Sequence, residues 1–242
     1  MSSSKAADRR LGIIGAGKAG TAFARAALAG GYDVGISGSG PAERIELIVE
    51  VLAPGARAMS TDEVVRYADL IVLAIPMHRF RELRRDLFAG KILIDAMNYW
   101  EEIDGVDEQF ETAAAGTSKL VQEWFSSARV VKGLNHLGYF KFDKSRLPKG
   151  RPDRIAMAAA SDDREALVAV LQLIDTLGFD PVGAGRLEAG LALMFFMHLW
   201  AENRGLLLFV AITTIFVLAA MQYSWPDSFR MLVGAPGAGL PH

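Results

Sequence analysis

The chain has 242 residues, enough for one large domain or for one domain with an appendage. Its formal net charge of −2 gives no indication of a nucleic-acid partner. The absence of cysteine excludes disulfides, thiolate metal sites and cysteine nucleophiles, and it is typical of a reducing compartment. The N-terminus has no apolar core, so we expect residues 1–9 to be disordered and not to form a signal peptide.

Short apolar runs alternate with segments of helical character along the rest of the chain. The predicted strands are Leu11–Ile14, Asp33–Ser37, Arg57–Met59, Leu70–Ala74, Ile92–Asp95, Val130–Gly133, Ile155–Ala158 and Phe179–Val182. This alternation favours an α/β fold of the Rossmann type, in which helices cover both faces of a doubly wound parallel sheet. We expect this domain to occupy residues 10–187.

Two pairs of residues predict where helices begin. Ser60 with Glu63, and Asp162 with Glu165, have the spacing of a capping box, in which a side chain at each end satisfies a free backbone N–H group. Between these helices, the acidic segment Tyr99–Gly116 has no clear periodicity. We predict that it is a long loop that lines a site.

A glycine-rich turn follows the first predicted strand and opens an alanine-rich helix. In a dinucleotide-binding unit, Gly15 permits the tight turn, Gly17 lets the backbone approach a pyrophosphate, and Gly20 lets the helix pack on the strand. The helix N-terminus would offer free N–H groups and partial positive charge to the phosphates. The alternative is a glycine turn without a ligand. The predicted nucleotide-binding residues of the turn are Gly15, Ala16, Gly17, Lys18, Ala19 and Gly20.

The end of the second predicted strand bears on the choice of nucleotide. An acidic residue about 20 residues after the glycine turn would bind the ribose 2′-hydroxyl of NAD, and this chain has none there. Ser37, Gly38 and Ser39, with Arg44 in the next helix, suit the 2′-phosphate of NADP. We therefore favour NADP over NAD. An alternative interpretation, compatible with NADP binding, is that Ser37 and Ser39 cap the helix that starts at Pro41.

The chain resembles the NADP-dependent deazaflavin reductases that work with coenzyme F420, a family related to the cytosolic domain of the STEAP metalloreductases. Beyond the glycine turn, the motifs that carry the resemblance are Leu73–Pro76, Lys91–Asn98, Val130–Asn135 and Gly178–Val182. The resemblance runs from about Leu11 to Leu187. One departure concerns Ser39, which stands where many members have an arginine that contacts the 2′-phosphate.

The resemblance implies roles for residues at the carboxyl ends of the later strands. It places Ile75, Pro76 and Asn98 beside the nucleotide, and Asn135 and His136 beside the nicotinamide and its redox partner. Hydride transfer needs the two rings close and correctly oriented more than it needs acid–base chemistry. The catalytic candidates are therefore His136 and Asn135.

The histidines allow more than one interpretation. His136 would hydrogen-bond the substrate ring or steady developing charge, and the alternative is a histidine with a structural role at a strand end. His78 lies among arginines and is expected on a solvated helix face. Those arginines would also suit an anionic cofactor tail such as a polyglutamate. No histidine–carboxylate spacing predicts a metal site.

The C-terminal segment, residues 188–242, is unusually apolar. Gly205–Trp225 contains no charged residue, and as a helix it would span roughly 31 Å, close to the thickness of a bilayer core. We expect this appended helix to tether a cytoplasmic domain to a membrane. The alternative is a helix buried in a homodimer of a soluble cytoplasmic protein.

Three functions are compatible with these features. The first is an NADP-linked oxidoreductase that exchanges hydride with a deazaflavin, coenzyme F420, or with another small-molecule redox substrate. The second is an NADPH-binding redox domain that feeds a membrane metalloreductase-like partner. The third is a non-catalytic sensor of NADP.

Overall fold

The computed structural model describes residues 9–113 and 116–188, which form an eight-stranded sheet. The strands, in chain order, are β1 Arg10–Ile14, β2 Asp33–Ser37, β3 Arg57–Met59, β4 Leu70–Leu73, β5 Ile92–Asp95, β6 Arg129–Lys132, β7 Ala156–Ser161 and β8 Asp180–Gly183. Their order across the sheet is β3-β2-β1-β4-β5-β6-β7-β8. All the predicted strands are present, and the predicted bounds of β2, β3 and β5 agree with the structure.

Helices connect most of these strands. They are α1 Lys18–Ala29, α2 Glu46–Leu52, α3 Thr61–Tyr67, α4 Glu101–Asp104, α5 Glu108–Glu111, α6 Thr117–Trp124, α7 Tyr139–Phe142 and α8 Arg164–Leu177. Short 3-10 helices occupy Ala42–Arg44, Met77–Glu82, Arg85–Phe88 and Asp143–Ser145.

The central strands are buried on both faces. Side chains alternate between the faces of a strand, so Ile13 packs with α1 and α8 on one side while its neighbour Ile14 packs with α3 and α6 on the other. A strand covered on both faces reads as a continuous apolar run, which is why the sequence revealed these strands. The predicted doubly wound α/β fold is confirmed.

The nucleotide-binding arrangement depends on β1. This strand pairs in parallel with β2 on one side and with β4 on the other, so the chain order reverses direction across the sheet between β1 and β4. The connections leave in opposite directions at this switch point and open a crevice at the carboxyl ends of the strands. The glycine turn lies at that crevice.

The predicted parallel sheet has an exception at β7, which runs antiparallel to β6. A parallel neighbour requires a crossover that carries the chain back to the opposite end of the sheet. Residues 133–155 contain only the short helix α7 and one 3-10 turn, so the chain stays at the carboxyl end of β6 and returns in the reverse direction. The following helix, α8, is a full crossover, and β8 is accordingly parallel to β7.

One of the two predicted helix starts is confirmed. Ser60 and Glu63 form the reciprocal capping box at α3. The second prediction is displaced by one residue, since Asp163 caps α8 by accepting from the Ala166 N–H group. The carboxylate of Asp162 is engaged elsewhere, because it accepts from the Lys119 ammonium at 2.6 Å.

The predicted loop Tyr99–Gly116 contains two short helices, α4 and α5. The carboxylate of Asp104 organises the first of them by accepting from the backbone N–H groups of Trp100 and His78. Asp107 caps the second. These are local carboxylate–backbone interactions without a repeating apolar pattern, so periodicity did not indicate them.

No helix within residues 9–113 and 116–188 is long and apolar enough to cross a membrane. The predicted apolar helix at Gly205–Trp225 and most of the predicted disordered N-terminus lie outside the described residues. The predicted division at residues 187 and 188 stays a prediction.

Candidate functional site

The three glycines of the turn have different structural requirements. Gly15 adopts φ +119°, and a β-carbon there would lie 2.2 Å from the carbonyl oxygen of Ala74. A β-carbon at Gly20 would lie 1.8 Å from the Gly15 carbonyl oxygen. A β-carbon at Gly17 would have no described heavy atom within 4 Å. The fold therefore requires glycine at Gly15 and Gly20, whereas Gly17 keeps open the space in front of the α1 N-terminus.

That space continues into a cleft with a volume of about 410 Å³ at the switch point. Several of the predicted site residues line it, namely Gly15, Ala16, Gly17, Gly38, Ser39, Ile75 and Pro76. Lys18, Ala19 and Gly20 form the first turn of α1 behind the glycine turn. The lining residues follow the ends of β1, β2 and β4, where a dinucleotide binds in this fold.

The end of β2 provides small polar groups. Ser39 lines the cleft, while Ser37 is buried and its hydroxyl accepts from that of Thr61 at 3.3 Å. The cap position of the following 3-10 helix is Pro41, and it makes no side-chain cap hydrogen bond, so the alternative in which the serines cap this helix is not observed. Arg44 is exposed and lies over Gly40, outside the set of lining residues.

Sequence reasoning missed several lining residues. Thr61, Arg79 and Glu82 supply polar groups to the cleft, and Ile45 and Leu83 supply apolar ones. Arg79 belongs to the arginine-rich stretch that the sequence associated with an anionic tail. The signal that would have found it is its position three residues after the Ile75-Pro76 strand end.

Two asparagines join the ends of β5 and β6. Asn135 donates from Nδ2 to Oδ1 of Asn98 at 3.1 Å, and Asn98 donates from Nδ2 to the Asn135 carbonyl at 3.4 Å. Within the described chain, Oδ1 of Asn135 and Nδ1 of His136 are buried without a hydrogen-bond partner. Buried polar atoms nearly always have a hydrogen-bond partner, so these two atoms indicate a place where a polar group of a ligand could bind.

The residue that precedes this pair has an unusual backbone. Leu134 is buried and adopts φ +60°, a left-handed conformation that residues other than glycine seldom adopt. Such strain persists where the surrounding structure imposes it, and it occurs preferentially at functional sites. The sharp change of direction carries Asn135 and His136 out of β6.

A buried ion pair supports these strand ends, and sequence reasoning did not identify it. Lys132 donates from Nζ to the Asp95 carboxylate at 3.4 Å and to the carbonyl of Met97. Asp95 also accepts from the Ser118 hydroxyl at 2.6 Å. The two charged residues are register partners on β5 and β6. Burial lowers the pKa of Lys132, and the Asp95 charge opposes that shift.

His136 is neutral at physiological pH. Burial of the ring, and secondarily the charge of Lys132, lowers its pKa to about 4. A neutral imidazole carries one N–H donor and one acceptor nitrogen, so the ring can hold a polar ligand group without adding charge.

This shift predicts a pH dependence of stability. His136 takes up a proton in the unfolded chain near its ordinary pKa of about 6.5, whereas the folded chain resists protonation until about pH 4. The unfolded state therefore binds more protons in this window, and stability falls as the pH decreases. Relative to His136→Gln, the wild-type free energy of unfolding should decrease by about 3 kcal/mol from pH 7 to pH 4. Urea unfolding of both proteins would measure it, and parallel pH profiles would contradict it.

His78 lies solvent-exposed on a 3-10 helix, as expected. Its Nδ1 lies 2.9 Å from the buried carboxylate of Asp104. Its observed contact ties the segment after β4 to α4.

Residues 10–99 match the family model described as NADP oxidoreductase, coenzyme F420-dependent. The predicted resemblance is confirmed over this region, which contains the glycine turn, the cleft and Asn98. The N-terminal part of the chain is therefore similar to the members of this family. No curated protein matches the sequence.

Solved structures share the fold over most of the chain. A protein of Arthrobacter sp. FB24, provisionally named an F420-dependent NADP reductase, has a TM-score of 0.65 and 22% identity, covering 79% of this chain and 93% of its own. A hypothetical protein from Sinorhizobium meliloti has a TM-score of 0.65 and 24% identity, with coverages of 74% and 86%. An imine reductase from Bacillus cereus has a TM-score of 0.56 and 17% identity, with coverages of 86% and 63%. These similarities establish a common fold.

Proposed function

We propose that this protein is an NADPH-dependent oxidoreductase that transfers hydride between NADP(H) and a deazaflavin-type or other small-molecule redox partner. The observation that carries the proposal is the open Gly17 position in front of α1, at the switch-point cleft, within the region that matches the oxidoreductase family.

The residues present fit a dinucleotide. The backbone at Gly17 and the N-terminus of α1 would hold the pyrophosphate, because the first N–H groups of a helix have no partner within it. The end of β2, with Ser39, would hold the adenosine ribose. The nicotinamide, which supplies the hydride, would lie toward the Asn98–Asn135 pair. Oδ1 of Asn135 and the neutral ring of His136 would then orient the nicotinamide amide or the partner ring.

The surface beside His136 favours a planar partner. Tyr139 and Phe140 on α7 are exposed, and the Lys18 ammonium lies 5.6 Å from the centre of the Tyr139 ring. Exposed aromatic rings next to a site offer stacking area for another ring system at little entropic cost. A deazaflavin such as coenzyme F420 has that shape.

Anaerobic oxidation of NADPH, followed at 340 nm, tests the proposal. Deazaflavin, free flavin and ferric chelates should be offered separately. Rapid oxidation with deazaflavin or flavin supports hydride transfer, and reaction only with a ferric chelate supports a redox domain that feeds a metalloreductase-like partner. Tight NADPH binding without oxidation by any acceptor contradicts the enzyme and supports a sensor. NADH in place of NADPH should react more slowly, because no carboxylate lies at the end of β2.

The second part of the proposal is a membrane tether at Gly205–Trp225, with the nucleotide-binding domain on the cytoplasmic side. The full chain should remain in the membrane fraction after a carbonate wash, because a charge-free helix satisfies its own backbone in lipid. Ile212→Asp combined with Val217→Asp should move it to the supernatant, since each buried charge costs about 3 kcal/mol. A wild-type protein that stays dimeric in the supernatant would contradict the tether and favour a helix buried in a homodimer.

A further inference from the structure

The wall of the cleft that follows β4 carries a charged pair. The 3-10 helix Met77–Glu82 is held in place by Met77 and Phe80, both of which are buried in the core. Arg79 and Glu82 are instead directed to the cleft. Nε and Nη2 of Arg79 donate to the same carboxylate oxygen of Glu82, at 3.0 and 2.7 Å.

The surroundings of this pair are those of a nucleoside site. Ile45 and Leu83 provide apolar surface for a base, while Ser39 and Thr61 provide hydroxyl groups. Among the described residues that line the cleft, Arg79 carries the positive charge and Glu82 the negative charge. The serine hydroxyl at the end of β2 is neutral, and Arg44 lies outside the set of lining residues. Arg79 is therefore the cation best placed on the cleft wall to bind an additional phosphate.

We propose that Arg79 binds the 2′-phosphate of NADP and that Glu82 competes with this phosphate for the guanidinium, so that the pair sets the preference between NADP and NAD. This inference rests on the proposed nucleotide-binding function. A guanidinium binds a phosphate through two parallel N–H groups, and in the structure Glu82 occupies two such groups. Binding of the phosphate through this same edge of the guanidinium displaces the carboxylate.

The exchange is feasible because neither partner is locked in the core. The Arg79 side chain is 39% exposed and that of Glu82 is 56% exposed, so their ion pair is solvated and weak. A 2′-hydroxyl carries no charge and does not displace the carboxylate. NAD therefore leaves the pair intact, whereas NADP opens it.

Two substitutions test the proposal in opposite directions. Arg79→Gln should weaken NADPH binding at least tenfold and change NADH binding less than threefold. Glu82→Gln removes the competitor and should strengthen NADPH binding threefold to tenfold, again with little effect on NADH. Arg84→Gln is the matched control, because Arg84 is an exposed arginine nearby that pairs with Asp62 and does not line the cleft. Fluorescence titration of the full chain with each dinucleotide measures these constants, and circular dichroism verifies folding.

The outcomes distinguish this inference from the proposed function. Equal losses for NADPH and NADH in Arg79→Gln, or weaker NADPH binding in Glu82→Gln, would overturn the inference and leave the function intact. If these effects on NADPH are selective but the protein fails to oxidise NADPH with any of the acceptors offered, the inference is supported and the proposed function is overturned. A wild-type chain that binds neither NADPH, NADH nor adenosine 2′,5′-bisphosphate would overturn both.

Discussion

Lys132→Met is expected to lower the free energy of unfolding by about 3–5 kcal/mol, because it leaves the Asp95 carboxylate buried without its counter-charge. Both side chains are almost inaccessible to solvent, at 3% for Lys132 and 0% for Asp95. The Ser118 hydroxyl and the Met97 N–H group would remain as donors to the carboxylate, but neither carries a charge. Urea unfolding followed by circular dichroism would measure the loss.

The double variant Asp95→Asn with Lys132→Met is the matched control. Asparagine keeps one of the two acceptor oxygens of Asp95 and removes the charge, so the double variant should recover much of the stability that the single variant loses. The two substitutions are coupled and their effects should not add. A single variant as stable as the wild type would show that the ion pair does not hold β5 and β6 together.

Gly17→Val is expected to weaken NADPH binding about a hundredfold, which corresponds to about 2.7 kcal/mol, while the fold survives. Gly17 has φ −82° and ψ −170°, a conformation that any residue adopts, and a β-carbon there meets no described atom within 4 Å. The branched side chain would fill the space through which a pyrophosphate approaches the α1 N-terminus. Titration with NADPH measures the loss, and thermal unfolding verifies that the variant is folded.

Gly20→Val provides the contrasting control for this experiment. Its β-carbon would lie 1.8 Å from the Gly15 carbonyl oxygen, so α1 cannot keep its contact with β1 and the variant should fail to fold. Two glycines in one turn thus have separable roles, one in binding and one in packing. Wild-type affinity for NADPH in a folded Gly17→Val protein would show that the nucleotide does not bind at this turn.

The sequence contained enough information for the nucleotide-binding part of the fold. Strands β4 and β5 are short, largely apolar runs, and burial on both faces makes such runs recognisable in the sequence without knowledge of their partners. The glycine turn was equally recognisable in the sequence, because Gly15 and Gly20 occupy positions where only glycine fits. Each of these features depends on neighbours in sequence or on a single steric requirement.

Features that depend on distant residues could not be obtained in this way. The direction of β7 follows from the path of residues 133–155, in which no crossover helix forms. The Lys132–Asp95 pair depends on the register between β5 and β6. Arg79 looked like one of several exposed arginines until the structure showed that the buried Met77 and Phe80 orient its helix toward the cleft.

The exposed strand β8 has a consequence for how copies of this protein meet one another during folding. In the part of the chain that the structure describes, β8 is an edge of the sheet. The N–H groups of Asp180 and Ala184 point inward to carbonyl groups of Ile155 and Ala159, so the alternate position, Pro181, faces outward. Proline has no N–H group to donate, and the opposite edge, β3, spans only Arg57–Met59. Neither edge is therefore a good template for the addition of a strand from another molecule. This limits aggregation through the sheet in a chain whose sequence is unusually apolar.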